Sequence, residues 1–586
     1  MIPKTDFPPV DAGGVSRLEA QGCRAADWSR VRISPDTDLT LIQGCRFYGD
    51  VNIGTLRTDD DNPQGLYDAV IRDCSFGNNV YISGVTGHLR GLTVGDNAYI
   101  ENAGVIEAEP GAQFGAGTEV AVLDETGSRP VVIFPGLTAQ LAVLMARRPR
   151  WAERHLRPML EEALTISDKP VIGAGARITG VRLMRNVRVD RGVCVDYASR
   201  LVDGDIISNA PGNAAAYVGA DVDAEHFIIE DGRVDSGTLL RNCYVGQGAS
   251  LDKRFCAHDS LFFANCACEC GEACAIIAGP YTVSMHKSSL LIGGQYSFFN
   301  AGSGTNSSNH KYKLGPVHWG VMDRGVKTSS DSYIMWGGHI GAFSLLMGSH
   351  KQHPDTSALP FSYLFGTQEG HTVACPGLML SSCGLMRDEL KWPKRDARVK
   401  ARLPLHDNIT FDVFNPLTVQ AMMRAVTLLA ELKNTSVSSQ GYHIYQGIRI
   451  TPKACDRAIK YYCLAIAKYI CGHRTAEETD DTFISVTSQN PADYEWRDVG
   501  GQLMPLDVID NLCLAESPAA LKEGLDRAFA EYRAMERAWI KAAVTPALLE
   551  KLGDLDKAAA RLDKLTTQDR ETYLETLGRH NTGLEL

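Results

Sequence analysis

The stretch from Gly304 to Gly320, GTNSSNHKYKLGPVHWG, combines several side chains that could take part in chemistry. His310 can exchange a proton near neutral pH, and Lys311 and Lys313 can bind a phosphate or carboxylate group. A titratable imidazole beside cationic donors suits a polar, anionic small molecule such as a sugar phosphate or a nucleotide sugar. We therefore expect a functional loop here, with a solvated structural loop as the alternative.

The loop belongs to a longer histidine-rich stretch. Seven of the 15 histidines lie between His286 and His371, among lysines, arginines and aromatic residues. We predict that this stretch forms one substrate-binding cleft with His310 as general base. The predicted binding residues are Asn309, Lys311, Tyr312, Lys313, His318, Arg324, Lys327, His339, His350, Lys351 and His353.

A short repeat indicates what carries the loop. FGNNVYI starts at Phe76 and VGDNAYI at Val94, and looser copies start at Phe114, Ile172, Val218, Val245, Cys270, Ile292 and Ile340. An apolar residue every six positions, with a small residue four later, predicts short strands joined by tight turns. Three such units make one triangular coil, whose apolar side chains stack inside a solenoid.

This pattern resembles the hexapeptide-repeat superfamily over about residues 45–350. The resemblance implies a mainly β protein whose central fold is a left-handed parallel β-helix. A right-handed β-solenoid is the structural alternative. Members of the superfamily are usually trimers, so a homo-oligomer, with a trimer favoured, is the expected assembly.

Two regions depart from the repeat. Residues 135–167 have helical spacing and predict a helical insertion. Beyond about Leu403, Asn415-Pro416, Thr451-Pro452, Ser517-Pro518 and Thr545-Pro546 each place an N-cap residue before a first-turn proline, which predicts an α-helical C-terminal region. The predicted divisions are 1–134 (first coils), 135–168 (insertion), 169–402 (continued β-helix with histidine-rich loops) and 403–586 (helical region).

A second resemblance concerns the loop itself. Asn309-His310-x-Tyr312-x-Leu314-Gly315 is similar to a segment in the acetyltransferase half of the bifunctional glucosamine-1-phosphate acetyltransferase/uridylyltransferases. The resemblance implies that His310 is the general base, that Asn309 and Tyr312 line the substrate pocket, and that acyl-CoA or acetyl-CoA is the donor. The chain lacks the glycine-rich nucleotidyltransferase signature of those enzymes and adds the helical region.

Two motifs invite a metal-binding interpretation. CACECGEAC contains Cys266, Cys268, Cys270 and Cys274, but the hexad register favours stacked core thiols. His350 and His353 lie three apart, which differs from the histidine spacing of the γ-type carbonic anhydrases, a related solenoid class that binds zinc. We expect no metal.

Composition limits the partners. The net charge of −11 disfavours a general nucleic-acid binder. The N-terminal residues contain no signal-peptide pattern, no apolar stretch is long enough to span a bilayer, and the 16 cysteines are typical of reduced thiols. We expect a cytoplasmic protein without membrane insertion.

These observations favour a transferase of the hexapeptide acyltransferase type that acts on a sugar, sugar phosphate or nucleotide sugar. Two alternatives remain open: a non-catalytic sugar- or nucleotide-binding protein, and a structural assembly scaffold.

Overall fold

The protein is a parallel β-solenoid with helices at its side and C-terminal end, so the predicted fold class is confirmed. The computed structural model describes residues 7–58, 63–163, 169–210, 215–308, 319–382, 384–475, 478 and 495–580. Neighbouring coils pair strand to strand in parallel, as the repeat requires. None of the helices in these ranges is both long and apolar enough to cross a bilayer.

The strands form two long parallel sheets and three smaller ones. The first sheet contains Arg24–Ala25, Val31–Ile33, Arg46–Ile53, Val70–Phe76, His88–Arg90, Thr93–Val94, Val105–Glu107, Leu183–Val189, Arg200–Ile207, Asp223–Glu230, Leu239–Val245, Cys256–Phe262, Glu272–Cys274, Ile277–Ala278, Leu290–Ile292, Gly294–Tyr296, Asn306–Ser308, Gly320–Met322, Tyr333–Met335, His339–Ile340 and Ser349–His350. The second contains Ile42–Gln43, Gly65–Tyr67, Tyr81–Ser83, Tyr99–Glu101, Arg177–Thr179, Cys194–Asp196, Tyr217–Val218, Arg233–Val234, Ser250–Asp252, Ala267–Glu269 and Val283–Ser284. The smaller sheets contain Lys327–Thr328, Leu345–Met347, Tyr363–Gly366, Thr372–Cys375, His443–Tyr445 and Ile448–Ile450; Glu119–Ala121 and Pro130–Val132; and Trp496–Val499 and Gln502–Pro505.

The long strands of the first sheet turn a corner in the middle. Asn186, Asp203, His226, Asn242 and Asp259 occupy that corner in five successive coils, each with a φ between 46° and 53°. Asn and Asp tolerate this left-handed backbone better than most residues. The stacked side chains also bond to each other, since the Asn186 amide donates to Asp203 and the Asn242 amide to Asp259, both at 3.0 Å. The corner therefore places two faces of each coil on one continuous strand.

The repeat marks the interior correctly in its clearer copies. Phe76, Val94, Ile172, Val218 and Val245 are at most 2 % exposed and lie in one continuous apolar core. The copies that start at Phe114, Cys270 and Ile292 do not follow the rule, because their first residues are only partly buried. Local backbone explains two of the three: Phe114 and Cys270 have positive φ values and sit in turns.

The helices begin where the capping pattern predicts. Asn415, Thr451, Ser517 and Thr545 each accept a hydrogen bond from the backbone of the first helical turn, which confirms all four N-caps. The α-helices are Ala12–Ala20, Ala139–Arg147, Pro149–Trp151, Arg157–Ala163, Gly384–Lys394, Ala397–Lys400, Pro416–Leu432, Pro452–His473, Leu506–Leu512, Pro518–Ala530, Tyr532–Ala543, Pro546–Leu552 and Leu555–His580, with a π-helical turn at Ala152–Leu156. Helices thus already start at Gly384, before the predicted region, and two β-hairpins interrupt that region.

One outward-facing column of the solenoid is mainly apolar over four successive coils, which is unusual for a face that water could reach. Strand register stacks its members in successive coils. We call this column the outer stripe; it consists of Ile228, Tyr244, Leu261, Ile277, Gln295, Val321 and His339. The first four are buried in a second hydrophobic cluster, outside the solenoid core.

The helix Ala139–Arg147, here called the insertion helix, covers the outer stripe together with the C-terminal region. Its residues share the second cluster with Ile509 and Leu525 from the C-terminal helices. Two hydrogen bonds join the insertion helix to the C-terminal region. Gln140 donates to the Gly500 carbonyl at 2.9 Å, and the Ala139 amide donates to Asp407 at 2.7 Å. The insertion and the end of the chain therefore form one layer on the solenoid.

Removing a side chain from the outer stripe tests this layer. Leu261→Ala should lower the free energy of unfolding by about 2–5 kcal/mol, because it leaves a cavity between solenoid and helices. Leu514→Ala is the matched control, since Leu514 is 76 % exposed and its loss should change stability by less than about 0.5 kcal/mol. Denaturant unfolding measures both, and equal effects would contradict the covered stripe.

Candidate functional site

The predicted catalytic loop lies mainly outside the described residues. This applies to His310, the predicted base, and to the predicted binding residues Asn309, Lys311, Tyr312, Lys313 and His318. Their roles stay predictions.

Four other predicted binding residues are described, and the structure does not bring them to one cleft. The Lys327 ammonium pairs with the Asp388 carboxylate, and Lys351 is exposed on a different loop. His353 Nδ1 lies 2.5 Å from the Trp336 carbonyl oxygen, which gives it a structural partner. His350 points into the solenoid, where its ring is wholly buried.

Arg324 and His339 do lie together, at the end of the outer stripe. They border a cavity of about 460 Å³ between the solenoid, the insertion helix and the C-terminal region. The solenoid wall includes Gln295, Val321 and Asp323. Where the stripe changes from apolar to polar side chains, the covering layer therefore encloses a hollow instead of packing tightly.

The chemically active pair in the cavity is Asp323 and His339. Asp323 Oδ1 lies 2.7 Å from His339 Nε2, and the two residues occupy neighbouring coils. Burial lowers the pKa of His339, but the Asp323 carboxylate outweighs burial, so the pKa is raised above its usual value. Asp355, in the coil beyond, acts in the same direction, and the Arg147 charge opposes it. The ring therefore carries a positive charge at neutral pH more often than an isolated histidine would.

Arginines supply the other charges of the cavity. Arg147 and Arg148 come from the end of the insertion, and Arg424 and Arg497 from the C-terminal region. The Arg147 guanidinium carbon lies 4.8 Å from the centre of the Trp319 ring. Surrounding protein lowers the pKa of Arg147; the Asp323 carboxylate opposes this shift, and the Arg129 and Arg497 charges add to it, which indicates that these groups are close in space.

Arg324 lies behind the cavity wall with no exposed surface. Its guanidinium carbon is 4.8 Å from the Phe298 ring centre, and Nη2 donates to the Thr410 carbonyl. Nε is 3.8 Å from Asp498 Oδ2, and neither Nε nor Nη1 has a hydrogen-bond partner among the described groups. Burial raises the pKa of Asp498, although the Arg324 charge acts against it. The Asp498 carboxylate therefore offsets the charge of this buried guanidinium, although its hydrogen bonding is incomplete.

The cysteine cluster divides between core and surface. Cys266 and Cys268 are buried in the solenoid core, as predicted, but Cys270 and Cys274 are only partly buried. Cys274 Sγ lies 3.5 Å from Glu125 Oε1. Among the described residues, no group of three or more His, Cys, Asp or Glu side chains is arranged to hold a metal ion.

Sequence reasoning did not identify the arginines of the cavity. Arg147 comes from the predicted helical insertion, and Arg424 and Arg497 come from the predicted helical C-terminal region, far away in the chain. A weak signal existed: MARRPR places three arginines directly after an apolar helix. Asp323 was likewise not among the predicted site residues, although it precedes Arg324.

Fold and cavity together define a β-solenoid protein with a positively charged, partly enclosed pocket and an adjacent Asp–His pair. Residues 9–433 match the family model described as a domain of unknown function, DUF4954. Because this match covers well over half of the 586 residues, the chain belongs to that family. A search of the curated proteins finds no match. Arg497 and Asp498 lie beyond the matched range, so the cavity extends past the family domain.

The buried His350 predicts a component of acid sensitivity. Burial lowers the pKa of His350 to about 4. The unfolded chain therefore binds the extra proton first, and stability falls between pH 6.5 and pH 4, by about 3 kcal/mol in total. In denaturant titrations, His350→Gln should lose this component, because glutamine does not titrate but can still bond Thr372, the 2.9 Å partner of Nδ1. His258→Gln, on a partly exposed strand, should keep it; identical pH profiles for all three proteins would contradict the assignment.

The Asp323–His339 pair predicts a measurable change in the pKa of His339. Asp323→Asn should bring it below 6.5, because burial and the Arg147 charge then act without the main opposing carboxylate. Histidine-labelled NMR titration measures the shift. Asp252→Asn, on the second sheet, is the control and should leave it above 6.5.

Proposed function

We propose that the protein is a transferase that acts on a phosphorylated sugar or a nucleotide sugar, bound in the arginine-lined cavity. The observation that carries this proposal is the convergence of Arg147, Arg424, Arg497 and His339 on one partly enclosed space. Several cationic groups around one partly open cavity favour anionic ligands, and guanidinium groups match phosphate geometry. The volume of about 460 Å³ is within the usual range for small-molecule sites.

The Asp323–His339 pair would supply the acid–base step. Asp323 accepts the Nε2–H of His339, which leaves Nδ1 as the nitrogen that exchanges a proton with the substrate. In the neutral form, Nδ1 takes the proton of an acceptor hydroxyl or amine as that group attacks the acyl carbon of the donor. The thioester C–S bond then breaks, and the imidazolium gives the proton to the departing thiolate. His310 is the competing base, on the resemblance to the hexapeptide acyltransferases. That resemblance also supports acyl-CoA or acetyl-CoA as donor and a trimeric assembly, and both stay predictions.

Calorimetry and a thiol-release assay test this function. Wild-type protein should bind sugar phosphates or nucleotide sugars and release CoA from acetyl-CoA in the presence of the correct acceptor. His339→Gln should still bind sugar phosphate, though more weakly because Asp323 then lacks a cationic partner, and should turn over about 10²–10⁴-fold more slowly. His258→Gln is the matched control and should retain full turnover.

The variants also separate the two candidate bases. If His310→Ala abolishes turnover while His339→Gln retains it, the loop histidine is the base and the proposed role of His339 is wrong. If no sugar phosphate or nucleotide sugar binds, the transferase proposal fails as a whole.

A non-catalytic binding protein is the second candidate. It is favoured by the raised pKa of His339, since an imidazolium already holding its proton serves as an anion-binding group. The two candidates differ in their pH dependence. A base must be neutral, so transferase activity should rise as pH increases through the pKa of His339, whereas ligand binding should weaken over the same interval.

A further inference from the structure

We propose that the cavity selects a dianionic phosphate monoester, and that Arg147 is the residue that determines this selectivity. The inference rests on the proposed function and narrows its substrate class. It follows from a comparison between the cavity cations that already have a carboxylate partner and those that do not.

Most cations around the cavity are matched by protein carboxylates. Arg148 Nη2 lies 2.5 Å from Asp510 Oδ1, and the His339 ring lies 2.7 Å from Asp323. Their charges are largely balanced before any ligand binds. These pairs fix side-chain positions and contribute little further attraction for an anion.

Arg424 and Arg497 have to share one carboxylate. The nearest guanidinium nitrogen of Arg497 is 2.8 Å from Glu495 Oε1, and that of Arg424 is 3.4 Å from the same oxygen. Two positive charges therefore meet one negative charge on the C-terminal side of the cavity. Both side chains remain about half exposed, so each retains donors for a ligand.

Among the described residues, Arg147 has no carboxylate within ion-pair distance, although the Asp323 carboxylate, already paired with His339, acts on it from further away. Across the described part of the chain, its guanidinium forms no ion pair or hydrogen bond, and its direct contact is the Trp319 ring. Stacking on an aromatic face leaves the N–H donors at the guanidinium edge available. The nearby Arg497 charge indicates that the unmatched groups from the insertion and from the C-terminal region lie near each other.

A phosphate monoester fits this charge pattern. The charge of Arg324 is offset by Asp498, and that of protonated His339 by Asp323. In that protonation state one positive charge is left at Arg147 and one more at the pair that shares Glu495, which corresponds to a ligand with two negative charges. A phosphate monoester carries nearly two at neutral pH, because its second pKa is about 6. A carboxylate or a sulfate ester carries one and leaves a positive charge uncompensated. The site also adjoins the reacting group, since the Arg147 charge acts on His339.

The test compares two ligands of almost the same shape. Isothermal titration at pH 7.5 should give wild-type protein at least tenfold higher affinity for glucose 6-phosphate than for glucose 6-sulfate. Methyl phosphate and methyl sulfate repeat the comparison without the sugar. Arg147→Gln should reduce phosphate-ester affinity at least tenfold, reduce sulfate-ester affinity less, and thereby remove most of the preference. Arg150→Gln, an exposed arginine of the same insertion that does not line the cavity, should leave both affinities unchanged.

Each outcome separates this inference from the broader function. If sugar phosphate and sugar sulfate bind equally, the dianion inference is wrong while a sugar-binding function stands. If the preference survives in Arg147→Gln, the selectivity does not reside in Arg147, and that assignment is wrong. If methyl phosphate binds but no sugar ester does, the selectivity is confirmed and the sugar substrate is wrong. If no phosphate ester binds, both proposals fail.

Discussion

The fixed register between coils determines the rest of this structure. In a parallel solenoid, a side chain at one position lies directly above its counterpart in the next coil, so each column along the axis has one chemical character. The interior columns are apolar and form the core. Part of one outer column is apolar as well, and such a surface is stable only when other elements cover it. The insertion helix and the C-terminal region perform that function, and the cavity forms where their cover meets the polar end of the column.

The covering layer is held by a small number of buried polar contacts. Asp407 is the central one, because its carboxylate accepts hydrogen bonds from the Ala139 amide at 2.7 Å and the Ala264 amide at 3.2 Å. It joins the insertion helix, a solenoid coil and the start of the C-terminal region. Burial raises the pKa of Asp407, although Arg398 and the two amides act against it. These contacts hold elements that are distant in sequence, and they fix the walls of the cavity.

The sequence predicted the solenoid and the helix starts because both depend on local rules. Six-residue spacing specifies a coil, and an N-cap residue before proline specifies a helix start at Asn415 or Thr451. Three repeat copies were misleading, since a hexad pattern does not distinguish an inward residue such as Val245 from a turn residue such as Cys270. The distinction depends on backbone dihedral angles, which a single sequence encodes weakly.

The same reasoning could predict only some of the residues that line the cavity. Arg324 and His339 fall within the histidine-rich stretch, so composition pointed to them. Arg147, Arg424 and Arg497 reach the cavity only through the packing of three separate elements onto the solenoid: the insertion helix, the helix Pro416–Leu432 and the hairpin at residues 496–505. No local pattern specifies which face of a solenoid a distant helix will cover. His350 shows the opposite error: its residue type suggested a ligand-binding group, but its register places it inside the core.

The coil is also a unit of length in this molecule. The cavity is built on the coils that contribute Gln295, Val321 and His339, and the cover rests on those that contribute Ile228 to Ile277. Coils before Arg200 contribute no side chain to the cavity or to the second hydrophobic cluster, and Asp73 and Asn186 give their strands corners of the same left-handed geometry as those that follow. Gain or loss of a whole coil in that earlier part would change the length of the solenoid and leave the coils that carry the cavity unchanged. The length of the solenoid and the side chains of the cavity can therefore change independently during evolution.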